Sequence, residues 1–345
     1  MPQSRNNKSI SGGNVRGSIV CVTNAIQLLA GCLVVVCLTT FGTWADDYPE
    51  RSVTILCPYA AGGATDILAR MLGQALAERL AKPFVVENRP GAGTVIAANA
   101  AAKAAPDGYT LLMGTSTPLA INATLHKKLP YNPAKDFVPL ALVAKVPFVL
   151  VVNPALPVHT TAEFIKYTKE HPNNLSFGTS GPGSPHHLYM ELFKAMTGTE
   201  MVHVPYKGSV PALTDVMAGV ITAMFVDLAP SLNLIREGRV RALGVSSDAR
   251  VPELPGVPPV ADAVPGFEAV AWQMLVVPAG TPKPVVDKLH TALKEIEERP
   301  EIEHKIRQFG MLPIMTPPVA DLHTFVETEI ARWGKVVQKS GASID

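Results

Sequence analysis

Residues 57–66 read Cys-Pro-Tyr-Ala-Ala-Gly-Gly-Ala-Thr-Asp, and they join an apolar, β-branched segment to a segment with apolar residues at helical spacing. Gly62 and Gly63 carry no Cβ, so a ligand can approach the main chain closely there. The helix that follows would present unpaired N–H groups and the positive end of its dipole. The pattern predicts a strand, an anion-binding loop and a helix. A tight turn that binds nothing is the alternative.

The first 45 residues have the pattern of a signal peptide. Three basic residues and no acidic residue precede Asp46, and residues 28–41 are strongly apolar. Thr43 and Ala45 provide small side chains at positions −3 and −1 of a cleavage site. We therefore expect the protein to be exported to the periplasm and cleaved near Ala45.

Two alternatives to a cleaved signal peptide stay open. The first is an uncleaved membrane anchor, although the apolar segment is short for a membrane span. The second is a lipidated Cys32, which follows Leu29-Ala-Gly. Most of the apolar segment lies after Cys32, which is the wrong side for a lipoprotein signal.

Composition limits the classes of partner. The first 45 residues hold three of the 30 basic residues and none of the 29 acidic ones, so the remaining chain carries a net charge near −2. This balance argues against a nucleic-acid partner and against binding to an anionic membrane surface. Cys57 is the one cysteine after the presequence, so we expect no intramolecular disulfide and interpret Cys57 as a small core residue.

Strand and helix patterns alternate along the remaining 300 residues, which is typical of α/β proteins. Proline-rich stretches at 130–147 and 252–265 suggest that the chain leaves one lobe and later returns to it. We predict a first lobe from residues 46–146 and 267–345, and a second lobe from residues 147–266. A cleft between two lobes is the usual place for a small ligand.

Two further small-residue segments follow predicted strands. Residues 177–184 read Phe-Gly-Thr-Ser-Gly-Pro-Gly-Ser, and residues 114–117 read Gly-Thr-Ser-Thr. Together with residues 60–66 they offer backbone N–H groups and hydroxyls with little fixed positive charge. Such neutral donors suit a carboxylate. The alternative is that these residues are ordinary helix N-caps.

The sequence does not match the common motifs of enzymes and of metal sites. The sequence Gly178-Thr-Ser-Gly-Pro182 departs from G-x-S-x-G at its last position. Residues 91–96 lack the last glycine of G-x-G-x-x-G, and no G-x-x-x-x-G-K-[ST] occurs. A metal site at His186, His187, Glu191 and His203 would lack the His-Glu-x-x-His pattern. We find no pairing of nucleophile and base, and we expect no catalytic residue, no metal and no cofactor.

Several ordered motifs resemble one family. They are Pro58-Tyr-Ala-Ala-Gly-Gly-Ala-Thr-Asp66, Val86-Glu-Asn-Arg-Pro-Gly-Ala-Gly93, Ala105-Pro-Asp-Gly-Tyr-Thr-Leu-Leu112, Leu129-Pro-Tyr, Lys135-Asp-Phe, Val204-Pro-Tyr-Lys-Gly208 and Pro278-Ala-Gly-Thr-Pro282. The chain is similar to the Bug family, the TctC-like substrate-binding proteins of tripartite tricarboxylate transporters. The resemblance implies a periplasmic binding protein type II fold, with two lobes, two crossovers and a small carboxylate in the cleft.

The resemblance and the loop patterns together indicate sixteen ligand-binding residues: Tyr59, Ala60, Ala61, Gly62, Gly63, Thr65, Asp66, Thr115, Ser116, Thr179, Ser180, Gly183, Ser184, His187, Tyr206 and Asp227. For two of them a structural role is the alternative. Asp66 can favour the helix dipole or pair with Arg70, and His187 can pack beneath its loop. Pro185 and His186 are unusual for the family.

The sequence therefore predicts a periplasmic receptor that captures a di- or tricarboxylate, an acidic amino acid or an aromatic acid. Its partner would be a membrane permease of the tripartite tricarboxylate type, and the receptor itself would be a monomer. A ligand sensor for a membrane kinase is the first alternative. An exported enzyme is the second.

Overall fold

Two separate β-sheets organise the described part of the chain, which in this computed structural model comprises Met1, Gln3 and residues 47–172 and 174–344. The predicted signal peptide and its cleavage site thus lie almost wholly outside the described residues. Residues 49–345 form one compact unit. The fold is mixed α/β, as the alternating sequence pattern predicts.

The first sheet has six strands in the spatial order β11-β4-β10-β3-β1-β2. Strands β1, β2 and β3 are parallel, whereas β10 runs antiparallel to both β3 and β4. These six strands are β1 (Val53–Cys57), β2 (Phe84–Asn88), β3 (Thr110–Thr115), β4 (Phe137–Val146), β10 (Ala271–Pro278) and β11 (Leu312–Pro313).

The second sheet has five strands in the order β7-β6-β8-β5-β9. Strands β6, β7 and β8 are parallel, and β5 is antiparallel to its neighbours β8 and β9. These five strands are β5 (Phe148–Val152), β6 (Ser176–Thr179), β7 (Val202–Pro205), β8 (Ala223–Asp227) and β9 (Arg241–Val245). The chain therefore enters the second sheet after β4 and returns to the first sheet before β10.

Helices connect the parallel strands. In the described residues the α-helices are α1 (Ala64–Leu80), α2 (Val95–Ala102), α3 (Asn122–Leu125), α4 (Thr161–Glu170), α5 (Pro185–Thr197), α6 (Ser209–Met217), α7 (Leu228–Arg236), α8 (Lys283–Glu297), α9 (Pro300–Gln308) and α10 (Val319–Ser340). Within these residues, no helix combines the length and the apolar character that a membrane crossing needs.

Strand β4 is an element that the sequence analysis missed, because Pro139 was assigned to a connecting stretch. Pro139 lies inside β4 opposite Val276, where the register between β4 and β10 shifts. A proline cannot donate to the sheet ladder, and a register shift is a place where a strand tolerates it. The ten-residue strand is almost entirely buried, so burial overrides the local effect of the proline.

The C-terminal helix α10 contacts strand β10 of the first sheet and helix α5, which connects β6 to β7 of the second sheet. The Trp333 ring stacks on Tyr189 of α5 at 5.3 Å between centroids. The indole N–H groups of Trp272 in β10 and of Trp333 both donate to Glu329 Oε2, at 2.8 and 3.0 Å. Burying two indoles with their N–H groups satisfied fixes this helix across the molecule.

Candidate functional site

A cleft of about 900 Å³ opens where the parallel strands of the two sheets reach their carboxyl ends. This edge is where open α/β sheets bind ligands. Residues at the N-termini of helices α1, α5, α6 and α7 are among those that line the cleft. Their positive dipole ends favour an anionic ligand.

The loop after β1 is shaped by Gly62 and by a buried carboxylate. Gly62 has a φ of +85°, a conformation that suits glycine. Its N–H donates to Asp66 Oδ2 at 2.9 Å, and Asn88 Nδ2 donates to both Asp66 Oδ1 and the Tyr59 carbonyl, at 2.8 and 3.0 Å. Gly63 then forms the N-cap of α1. The loop is thus held from behind, and its glycines face the cleft.

Asp66 supports this loop. It is 2% exposed and pairs with Arg70 at 3.0 Å, one helical turn away. Burial alone would raise the pKa of Asp66, but hydrogen bonds from Arg70, Gly62 and Asn88 outweigh it and lower the pKa. The alternative role from the sequence, a pair with Arg70, is therefore confirmed. A direct ligand contact by Asp66 stays a prediction.

Neutral polar groups line the cleft beside this loop. The Tyr59 hydroxyl lies 3.1 Å from Thr115 Oγ1 at the end of β3, and Gln273 Nε2 donates to Thr65 Oγ1 at 3.0 Å. Burial raises the pKa of Tyr59, which keeps its hydroxyl protonated. In the described part of the protein, Ser116 Oγ and Gln273 Oε1 are buried and have no hydrogen-bond partner. Buried polar atoms are normally paired, so these two point to a bound polar group.

The loop after β6 engages several of its own N–H groups. Gly181 N donates to Thr179 Oγ1 at 3.1 Å, Gly183 N donates to His187 Nδ1 at 3.1 Å, and Ser184 N donates to the Gly181 carbonyl at 3.3 Å. Pro182 has no N–H. Side chains and a carbonyl of the protein thus take three of the loop's N–H groups, and a ligand contact by its remaining groups stays a prediction.

This side of the cleft instead presents a chain of three side chains. Ser180 Oγ lies 2.9 Å from His186 Nδ1, and His186 Nε2 lies 3.1 Å from Asp227 Oδ2. His186 is 6% exposed and packs edge-on against Phe148, whereas a third of the Asp227 side chain is exposed. The sequence analysis found no pairing of nucleophile and base, and this contact corrects it. Ser180 and Asp227 lie 6 and 41 positions from His186 in the sequence. The three side chains meet because β6, β8 and α5 converge.

His187 lies beneath the same loop. Its ring stacks on His203 at 4.0 Å, and His203 Nε2 contacts Thr179 Oγ1 at 2.7 Å. Burial lowers the pKa of both histidines to about 4, and each is further lowered by a nearby cation or histidine. The packing role that the sequence left open for His187 is confirmed, and Thr179 contributes to the same arrangement.

Some of the predicted residues line the cleft, and others lie outside its lining. Ala60 and Ala61 are exposed at the tip of the first loop. The Tyr206 hydroxyl donates to Asp215 Oδ2 at 2.5 Å, which raises the pKa of Tyr206 to about 12. The predicted residues that line the cleft are Tyr59, Gly62, Gly63, Thr65, Thr115, Ser116, Ser180, Gly183, Ser184 and Asp227.

The described lining of the cleft contains no Lys and no Arg, and Asp227 is its one carboxylate. Within the same described residues, no group of three or more His, Cys, Asp or Glu is arranged to hold a metal ion. An anion in this cleft would therefore be bound by hydroxyls, amides and helix ends.

A family model described as the tripartite tricarboxylate transporter family receptor matches residues 68–342. The chain belongs to this family, the Bug or TctC-like receptors. BugT of Bordetella pertussis is 37% identical over 302 residues, which are 87% of this chain and 92% of BugT.

Two solved structures from Rhodopseudomonas palustris resemble this Bug-family chain. Rpa4515 with adipate has a TM-score of 0.76 and 39% identity, and the match covers 86% of this chain and 99% of that one. MatC with bound malate has a TM-score of 0.72 and 34% identity, covering 84% and 100%. The periplasmic binding protein fold expected from the sequence is thus confirmed.

Gln273 and His186 are among the cleft residues of this Bug-family chain that were absent from the sequence prediction. Gln273 is a single polar residue within the buried strand β10, whose segment reads Ala-Trp-Gln-Met-Leu-Val-Val-Pro. A single amide in a strand of otherwise apolar residues is the sequence feature that could have identified Gln273 as a cleft residue. His186 was noted as unusual for the family, but its contact with Asp227 could not be found without the fold.

Proposed function

We propose that this protein is a soluble periplasmic receptor that captures a small carboxylate in the cleft and delivers it to a membrane permease of the tripartite tricarboxylate type. In this proposal the signal peptide is removed near Ala45. The ligand joins the two halves of the molecule, one at residues 46–146 and 267–345 and the other at residues 147–266.

The observation that carries the proposal is the donor-rich wall formed by the first loop and β3. The first-turn N–H groups of α1 have no partner within the helix. The unpaired Ser116 Oγ lies close by in the lining, as do the hydroxyls of Tyr59 and Thr115. Hydrogen bonds from such groups to a carboxylate are about twice as strong as those between neutral groups.

The relatives support this choice of ligand class. Rpa4515 was solved with adipate and MatC with malate, and both ligands are dicarboxylates. Each of these proteins shares more than a third of its sequence with this chain and is covered almost completely by the match. We extend the class of ligand, a small carboxylate, from them to this protein.

A hydrolase is the second candidate, because Ser180, His186 and Asp227 are linked by hydrogen bonds. In a nucleophile elbow, the N–H of the residue after the nucleophile stabilises the oxyanion. Here that residue is Gly181, and its N–H donates to Thr179 Oγ1. Pro182 follows and has no N–H. Because the loop lacks this donor, we favour binding without turnover.

Thermal shift and scattering test the receptor proposal. A panel of dicarboxylates, tricarboxylates, acidic amino acids and aromatic acids is added to the mature protein, and each mixture is analysed for products. A ligand that contacts both halves stabilises the closed form and raises the melting temperature. We expect at least one acid to raise the melting temperature, to reduce the radius of gyration and to be recovered unchanged. No shift with any acid would contradict binding, and conversion to product would favour the hydrolase.

A further inference from the structure

We infer that Asp227 selects the ligand, and that this receptor prefers acids that also carry a hydrogen-bond donor, a hydroxyl or an ammonium group, over unsubstituted acids of the same length. The inference rests on the proposed function, since it concerns the second end of the ligand in the same cleft. It follows from a difference between two walls of the cleft. The first wall is formed by the loop after β1 and the end of β3, and the opposite wall is formed by the loop after β6 and by Asp227.

The wall at the first loop supplies donors. The N-terminus of α1 and the hydroxyls of Tyr59, Thr115 and Ser116 line this side. The Tyr59 hydroxyl keeps its proton because burial raises its pKa. A carboxylate is the ligand group that fits this wall.

In the opposite wall, the loop after β6 offers a second carboxylate few free backbone donors. The N–H groups of Gly181, Gly183 and Ser184 are consumed within the loop, and the Ser184 hydroxyl donates to the Gly181 carbonyl at 2.7 Å. In the described lining of the cleft there is no lysine or arginine to replace them. A second carboxylate here would face Asp227.

Asp227 is an acceptor directed at the same space. It lies at the carboxyl end of β8 and lines the cleft, with a third of its side chain exposed. Burial alone would raise the pKa of Asp227, but the charge of His186 and its hydrogen bond outweigh it and lower the pKa. A carboxylate has about four lone-pair sites, so the bond from His186 at Oδ2 leaves acceptor capacity for a ligand.

Asp227 lines the same cleft as the hydroxyls of the first wall. The charge of Asp227 contributes to the raised pKa of Tyr59 across the cleft. An acid bound with its carboxylate at the first wall would thus bring a substituent on its chain toward Asp227. A hydroxyl or ammonium group there gains a charge-assisted hydrogen bond, whereas a methylene leaves the carboxylate without that partner.

Calorimetry with matched sets of acids tests this inference. The sets are succinate, malate and aspartate; glutarate, 2-hydroxyglutarate and glutamate; and propionate, lactate and alanine, with both enantiomers of each chiral acid. In the set that binds most tightly, we expect a substituted member to bind at least tenfold more tightly than the unsubstituted one. Asp227→Asn should reduce that ratio at least fivefold, more for the ammonium member than for the hydroxyl member.

Two variants separate direct contact from support of the loop. Asp287→Asn makes the same change at an exposed carboxylate on α8 and should leave the ratio unchanged. His186→Gln removes the ring that holds Asp227, and it should lower affinity while the substituted acid stays preferred. If Asp227→Asn lowered affinity for every member equally, Asp227 would be a positioning residue and the inference would be wrong.

Failure of the inference is distinguishable from failure of the proposed function. If acids bind and the unsubstituted member binds as tightly as the others, the receptor proposal stands and the selectivity inference is overturned. If no acid in these sets binds but a tricarboxylate or aromatic acid does, the receptor proposal stands and the selectivity inference is overturned. If no acid of the wider panel binds, both are overturned.

Discussion

The Tyr59 hydroxyl lies 3.1 Å from Thr115 Oγ1, which joins the loop after β1 to the end of β3 on the donor wall of the cleft. We predict that Tyr59→Phe weakens carboxylate binding about fivefold, because one hydrogen bond contributes roughly 1 kcal/mol. Calorimetry with the best-binding acid measures the change. Unchanged affinity in a variant with normal melting behaviour would show that this hydroxyl does not contact the ligand.

Gly63 is the position where the ligand is expected to approach the backbone most closely. A Cβ there would meet nothing nearer than the Ala60 carbonyl, at 3.7 Å, so Gly63→Val should fold. We expect it to weaken binding more than tenfold, or about 1.4 kcal/mol. Gly256→Val is the matched control, since Gly256 is exposed and a Cβ there meets nothing within 4 Å. Equal affinity in the two variants would remove the first loop from the site.

The stacked pair His187 and His203 predicts acid sensitivity. Both have a pKa of about 4 in the folded protein, against 6.5 for an ordinary histidine. The unfolded chain therefore takes up these protons first as the pH falls. The two neutral rings contribute their full stabilisation above pH 6.5. This stabilisation is lost as the pH falls from 6.5 to 4. For the buried His187 this amounts to on the order of 3 kcal/mol.

Urea denaturation at pH 7 and pH 4.5 measures this loss. We expect His203→Gln to reduce the difference between the two pH values, because one titrating ring is removed and the other no longer stacks on a histidine. His304→Gln, at an exposed histidine of α9, is the control and should behave like the unmodified protein. A difference in stability that is the same in all three proteins would contradict the assignment.

The positions of both loops were predictable from sequence, but the hydrogen bonds within the second loop were not. Gly62 and Gly63 follow a buried strand and precede a helix, so local pattern alone placed the loop at the cleft. In the second loop, the Gly183 N–H donates to His187 Nδ1, because helix α5 places that ring beneath the loop. Glycine content does not reveal whether a loop's donors are already satisfied.

Long-range contacts account for the rest of what the sequence did not predict. The three-residue chain that ends at Asp227 requires two strands and a helix to converge, and Gln273 reaches Thr65 from 208 positions away. Pro139 was interpreted as part of a joint, but the pairing of β4 with β10 outweighs it. Local propensity gives way where many buried contacts act together.

Export gives a prediction on the N-terminus. Protein recovered from the periplasm should begin at Asp46, because Thr43 and Ala45 satisfy the small-residue rule for cleavage. N-terminal sequencing and intact mass establish the first residue. A lipid on Cys32 would instead make the protein a membrane-tethered receptor.

In the proposed function, the cleft recognises a carboxylate through neutral donors and helix ends. The most direct test is calorimetry with the best-binding acid and with its primary amide, which has nearly the same shape and no charge. We predict that the acid binds at least a hundredfold more tightly than the amide, and that high salt weakens binding only moderately because the described lining has no Lys or Arg. Equal affinity for acid and amide would contradict recognition of the carboxylate.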